Sequence, residues 1–205
     1  METTTKTIEP TFQQKCNRVQ SSLWSATMVI SAIALAFSTV SYLRLISCLL
    51  KDFAAVLCRS VQLIQFTDFF APGDFRYKFL NFIGRNFLAW TILPHTPNDY
   101  LATFLMLIWS VGEVVRYNYY LNKSRINGAL RYNVFLVNFP LAMIFETISI
   151  MWTIWIAGMA PSWLNKRMAV VVMAVDAFVF WLCFTELMER RRMFYLKKDK
   201  GKRSE

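Results

Sequence analysis

Apolar residues gather into six blocks along the chain, near 22–43, 53–72, 77–93, 100–120, 132–158 and 168–188. A helix that crosses a bilayer needs roughly 20 mostly apolar residues, and the first, fifth and sixth blocks meet that need plainly. The second and third are shorter and carry Arg59, Asp68 and Arg85. Pro72, Gly73 and Asp74 supply turn chemistry between those two, and the hexapeptide PHTPND at 94–99 separates the third block from the fourth. The fifth block is long for a single crossing, which predicts a tilted helix or one that continues past the interface. The first lies behind a polar segment holding Lys6, Lys15 and Arg18. It is too long for a signal-peptide core and has no clear cleavage site, so it reads as a retained helix. The expectation is an all-α polytopic membrane protein with six transmembrane helices. It divides into an N-terminal segment at 1–21, a membrane domain at 22–188 and a basic tail at 189–205.

Composition supports lipid as the solvent. Of the 205 residues, 56% are hydrophobic and only 18% charged, and the mean hydropathy is +0.34, an excess of apolar surface over what a soluble domain carries. The net charge of +10 raises nucleic acid as a partner, but the distribution argues for membrane lipid instead. With six crossings both termini share a side, and that side holds sixteen lysines and arginines against four on the other. The positive-inside rule then puts the termini in the cytosol, with the tail MERRRMFYLKKDKGKRSE against anionic headgroups. The four cysteines (Cys16, Cys48, Cys58 and Cys183) lack metal-ligand spacing, so neither a metal site nor a disulfide framework is expected. None is followed by an arginine at the spacing a phosphate-cradling thiolate needs, which argues against cysteine phosphatase chemistry.

Two polar groups inside the apolar blocks carry the chemistry. In WSVGEVVRYNYY at 109–120, Glu113 and Arg116 are three residues apart and share a helix face, which Tyr117 and Tyr120 extend. An unpaired charge at the bilayer centre costs about 3 kcal/mol, so Glu113 and Arg116 are expected as a structural ion pair. The competing reading makes Arg116, Tyr117 and Tyr120 the wall of a pocket for an anionic ligand. In LRYNVFLVNFPLAMIFE at 130–146, Glu146 stands fifteen residues beyond Arg131, about 22 Å along a helix. No basic residue within a turn neutralises it. Its partner comes from another helix or the carboxyl carries its proton, and a lone intramembrane carboxylate is by default a candidate general acid or base. Pro140 removes one helical hydrogen bond beside it.

These two motifs, with GRNFLAW at 84–90, resemble the 3-hydroxyacyl-CoA dehydratases of very-long-chain fatty-acid elongation, a family also called protein-tyrosine-phosphatase-like. The resemblance implies a six-span protein of the endoplasmic reticulum with cytosolic termini and no cofactor. It further implies removal of water from a long-chain 3-hydroxyacyl-CoA to give the trans-2-enoyl-CoA, with the other elongation enzymes as partners. The family motif is Tyr-Pro, a Gly two residues on, and Glu seven residues after the Tyr. Pro140 and Glu146 match it, while Phe139 stands at the tyrosine, Ala142 at the glycine and Asn138 where a large apolar residue is usual. Phe139 can neither give nor take a proton. Tyr117, Tyr119 or Tyr120 could replace its hydroxyl if the helices pack closely, whereas Tyr132 lies too far along its own helix. Arg85, Arg116, Arg131, Tyr117, Tyr120 and Tyr132 are the residues expected to bind substrate. Three readings stand: an active dehydratase using Glu146, a non-catalytic relative that binds acyl-CoA or scaffolds the elongation enzymes, and a small transporter or channel. The chain shows no internal repeat or paired broken helices, which speaks against transport.

Overall fold

The computed structural model describes residues 11–40, 43–70, 75–96, 99–156 and 166–202, and every regular element among them is helical. Six α-helices follow in chain order: α1 (Phe12–Ser38), α2 (Arg44–Ile64), α3 (Phe75–Phe87), α4 (Asp99–Leu121), α5 (Arg125–Met151) and α6 (Lys166–Lys202). Tighter or wider turns extend three of them. A 3-10 stretch (Gln65–Phe70) follows α2, a π-turn (Leu88–Ile92) and a 3-10 turn (Leu93–His95) follow α3, and a π-turn (Trp152–Ile156) follows α5. Among the described residues, four helices are long and apolar enough to cross a bilayer: α1, α4, α5 continued to Trp155, and Val170–Leu196 of α6.

The helix limits differ from the apolar blocks for local reasons. Helix α1 starts at Phe12, well before its block, because Thr11 closes a capping box. Gln14 N–H donates to the Thr11 hydroxyl at 3.4 Å, and Thr11 N–H donates to Gln14 Oε1 at 3.0 Å. Helix α2 starts at Arg44 rather than near 53, since Lys51 and Asp52 interrupt the apolar run without interrupting the helix. Lys51 reaches across to Asp99 at the start of α4, 2.5 Å away. Helix α3 has only 13 residues. Ser124 caps α5 by accepting from Asn127 N–H at 3.1 Å, so the helix begins at Arg125. Helix α6 continues through the basic residues to Lys202. The turn at 72–74, Pro97 and Asn98 lie outside the described residues.

On α1 the polar residues face inward and large apolar ones face outward. The buried face of α1 reads Asn17, Gln20, Ser21, Trp24, Thr27, Ser31 and Ala34, while Val19, Val29 and Ile33 point outward. Lipid tails are as apolar as leucine, so small and polar residues concentrate where helices meet. Gln20 donates to Thr67 at 2.9 Å, Ser21 to Asn118 of α4 at 3.1 Å, and Ser47 of α2 to the Ala34 carbonyl at 2.8 Å. Around Trp24 the core gathers Ala54, Cys58 and Val61 of α2, Leu105, Met106 and Trp109 of α4, and Ile150 of α5. Gly112 of α4 lets α5 come close, since a Cβ there would stand 2.6 Å from Asn138 Nδ2.

Helix α6 packs antiparallel along α5. Phe194 lies on Tyr132 with ring centroids 5.2 Å apart, and Phe180 stacks on Phe139 at 5.0 Å. Helix α3 touches both α2 and α6, so α3, α5 and α6 bound a space that α1 and α2 do not enter.

The inverted polarity of α1 has a measurable consequence. Ser31→Leu on the buried face should overpack the α1 interface and lower unfolding free energy in detergent by ~1–3 kcal/mol. Ile33→Ala on the outward face should change it by no more than ~0.5 kcal/mol.

Candidate active site in the cleft between α3, α5 and α6

Charges inside the bundle are gathered by α4. Glu113, almost wholly buried, binds Arg85 of α3 on one side and Arg116, at 2.7 Å, on the other. Arg116 also meets Asp68 of the 3-10 stretch at 2.8 Å, and the Tyr117 hydroxyl donates to the same carboxylate at 2.8 Å. Two guanidiniums and two carboxylates thus alternate in one network that ties the end of α2 to α3 and α4. Partnered in this way, the four charges can stay in a low-dielectric interior. Tyr117 is fully buried within the network, and its hydroxyl is committed to Asp68.

A second group collects Arg131, Tyr120 and Tyr132 at the N-terminal end of α5. The Arg131 guanidinium lies over the rings of Tyr119, Tyr120 and Tyr132 at 4.8, 5.0 and 5.6 Å, and it donates to the Tyr120 hydroxyl at 3.4 Å. Helix α6 closes this group with Phe194 and with Tyr195 and Arg191, which both bond to Asn133. Such cation–π cages hold a guanidinium in place while leaving its charge unneutralised.

Glu146 stands apart from both groups. Its carboxylate accepts from Trp109 Nε1 of α4 at 2.6 Å, so its polar partner does come from another helix. It lines a cleft with Gly84, Arg85 and Leu88 of α3, Phe139, Ala142 and Met143 of α5, and Asp176, Val179, Phe180 and Cys183 of α6. The cleft is narrow, with a cavity volume of about 40 Å³. Pro140 lies inside α5, between Phe139 and Ala142 of the cleft wall. Leu88 opens the π-turn, a widened helical turn common beside functional sites. A Cβ on Gly84 would meet nothing within 4 Å, so the α3 wall is open there. An apolar groove continues the cleft between α3 and α6, lined by Ile83, Phe87, Val171, Val172 and Val175, and the two share Gly84, Leu88, Asp176 and Val179.

The sequence-level candidates therefore fall into separate places. Glu146, Phe139 and Arg85 meet in the cleft. Arg116 and Tyr117 stand in the ion network, and Tyr120, Arg131 and Tyr132 form the cage. None of Tyr117, Tyr119 and Tyr120 is among the residues that line the cleft with Glu146, so close packing of α4 on α5 does not bring a replacement hydroxyl there. Instead Phe139 sits in a run of stacked rings, on Phe180 and through it on Phe184 at 5.6 Å. Two participants were missed from the sequence. Trp109 reads as one more aromatic in an apolar run, and only its indole N–H makes it a partner for Glu146. Asp176 was legible as the single acid in VVVMAVDAFVFW.

Residues 64–197 match the family described as protein tyrosine phosphatase-like protein, PTPLA. That stretch holds α3 to α5, α6 up to residue 197 and the entire cleft. The chain belongs to this family, that of the 3-hydroxyacyl-CoA dehydratases of very-long-chain fatty-acid elongation. Among curated relatives, the very-long-chain (3R)-3-hydroxyacyl-CoA dehydratases PASTICCINO 2B and PASTICCINO 2A of Oryza sativa subsp. japonica are each 37% identical over 65 residues. The matched part is 27% of this chain, and it spans 29% of each relative, under a third of their length. No solved structure matches the chain. Against the family's Tyr-Pro…Glu motif, the cleft keeps the glutamate and the proline and fills the tyrosine position with a stacked phenyl ring.

The network and the cleft should respond differently to loss of a carboxylate. Glu113→Gln leaves the buried Arg85 without its counter-charge and Arg116 with Asp68 alone, and should cost about 3–5 kcal/mol of stability. Glu146→Gln keeps an acceptor for Trp109 and should cost less than ~1.5 kcal/mol, the worth of one ordinary hydrogen bond. Thermal unfolding of the two variants in the same detergent checks this.

Proposed function

We propose that the chain is a membrane-embedded hydro-lyase that removes water from long-chain 3-hydroxyacyl-CoA to give trans-2-enoyl-CoA in the fatty-acid elongation cycle. In this reading it resides in the endoplasmic reticulum membrane, crosses it six times with both termini in the cytosol, and works beside the other elongation enzymes. The two shorter helices, α2 and α3, then complete their crossings with the turns that follow them. The observation that carries the reading is Glu146 in a cleft that opens onto an apolar groove, in a chain of a dehydratase family.

Substrate length fits the layout along α6. The cage at Arg131 and the basic residues of the last turns of α6 lie at the cytosolic end, where CoA phosphates arrive. From Arg191 to Asp176 is fifteen residues, or about 22 Å of helix, a span suited to the extended pantetheine arm. The thioester then lies at Glu146, and the acyl chain enters the valine-lined groove beyond. Arg85, charge-matched by Glu113 yet facing the cleft, is placed to polarise the thioester carbonyl. In dehydration a base takes a proton from C2 while an acid protonates the departing hydroxyl on C3. Glu146, held as an acceptor by the Trp109 N–H, serves as the base.

The stacking of Phe139 on Phe180 favours a second reading, in which the family tyrosine has been exchanged for packing and the protein binds acyl-CoA without turning it over. One assay separates the two. Purified protein in lipid should convert long-chain 3-hydroxyacyl-CoA to the enoyl product, and Glu146→Gln should lower kcat by ~10²–10⁴-fold, the usual contribution of a general base. No turnover by the wild type, with activity appearing in Phe139→Tyr, would establish the binding protein instead.

A further inference from the structure

Resting on the dehydratase reading, we infer that Asp176 of α6 supplies the second proton-transfer group, so that a Glu146–Asp176 carboxyl pair across the cleft does the work that the family assigns to tyrosine and glutamate. Dehydration needs two groups, and Phe139 cannot be one of them. The other side chains of the cleft offer few alternatives. Arg85 is engaged by Glu113. Cys183 is a free thiol one turn beyond Val179, on the side of the cleft that holds the Phe139–Phe180 stack rather than the acyl groove. The remaining residues, apart from the two carboxyls, are apolar or glycine.

Asp176 has the placement the role requires. The antiparallel register of α5 and α6 is fixed by Phe139 on Phe180. Seven residues further along α5 is Glu146, two turns on and on the same face. Four residues back along α6 is Asp176, one turn away and again on the same face. The two carboxyls therefore enter one cleft from facing helices, at the level where the tyrosine of the family motif would meet its glutamate. Asp176 also lines the apolar groove, which Glu146 does not. It stands where the cleft gives way to the acyl channel, beside C3, while Glu146 faces C2. No hydrogen bond or ion pair to another described side chain accounts for Asp176, although α6 is otherwise apolar around it. A structural carboxylate in such a segment acquires a partner, as Glu113 and Asp68 do.

The step balances. The Glu146 carboxylate takes the C2 proton, the C2–H electron pair becomes the C2–C3 π-bond, and the C3–O bond breaks as the Asp176 carboxylic acid protonates the leaving oxygen. Water departs, leaving Glu146 protonated and Asp176 ionised. Transfer of that proton from Glu146 to Asp176 across the cleft restores both for the next turnover.

The test is steady-state dehydration of a long-chain 3-hydroxyacyl-CoA across pH by the full chain in lipid, comparing wild type, Asp176→Asn, Asp176→Glu and Glu146→Gln. Asp176→Asn should lower kcat by ~10²–10⁴-fold, leave KM within a few-fold, and abolish one limb of the pH–rate profile. Asp176→Glu, which keeps the carboxyl, should turn over faster than Asp176→Asn, a difference that a purely packing role would not produce. Wild-type turnover that survives Asp176→Asn with an unchanged pH profile would overturn the assignment and leave the dehydratase reading standing, as would equal losses in Asp176→Asn and Asp176→Glu. A wild type with no turnover would overturn both.

Discussion

The bundle depends on one constraint, that a charge placed among apolar helices must meet a counter-charge from another helix. Glu113 of α4 satisfies it by holding Arg85 of α3, and Arg116, which Glu113 also holds from the same helix, satisfies it through Asp68 beyond α2. The consequence is architectural. Helix α3 is short and carries Arg85 near its end, so binding to Glu113 fixes where α3 stands against α4. That in turn leaves a space between α3, α5 and α6. A helix held by apolar contact alone could slide in lipid, where such contacts gain nothing over lipid itself. An ion pair has a defined partner and so a defined register.

The same constraint separates structural from chemical groups. The carboxylates of Glu113 and Asp68 are matched by guanidiniums. Those of Glu146 and Asp176 are not, and both face a cleft. An unmatched carboxyl in a membrane helix is costly, and a cost retained at a cavity is what a proton-transfer site looks like. The cation–π cage at Arg131 marks a third category, a charge held in place by aromatic rings with no carboxylate partner among the described residues. In the proposed reading the parts follow one another along α5 and α6: caged cation, carboxyl pair, then apolar groove. A thioester of a long acyl chain with CoA has the same order of parts.

Much of the helical architecture was legible in the sequence, because an apolar run of about 20 residues matches the length of a helix across a bilayer and exceeds that of most buried strands and core helices. The limits were less so. Thr11 and Ser124 set helix starts by hydrogen bonding, and Lys51 and Asp52 break the apolar run inside α2 without breaking the helix, none of which hydropathy registers. Glu146 could be singled out as lacking a partner on its own helix, since spacing along one helix is arithmetic. Partners across helices could not be. The Trp109–Glu146 bond, the Arg85–Glu113 pair and the commitment of Tyr117 to Asp68 each depend on how two helices face one another. Asp176 escaped notice for the opposite reason: it was visible as a lone acid, but only the facing position of Glu146 gives it meaning.

The central claim is that acyl-CoA lies along α6 with its chain between α3 and α6. Photocrosslinking with a long-chain acyl-CoA carrying a diazirine midway along the chain tests it most directly. The expected result is labelling of the Ile83–Leu88 and Val171–Val179 segments, lost on competition with unlabelled acyl-CoA. Labelling that instead falls on α1 or on the outward faces of α2, and that resists competition, would contradict it.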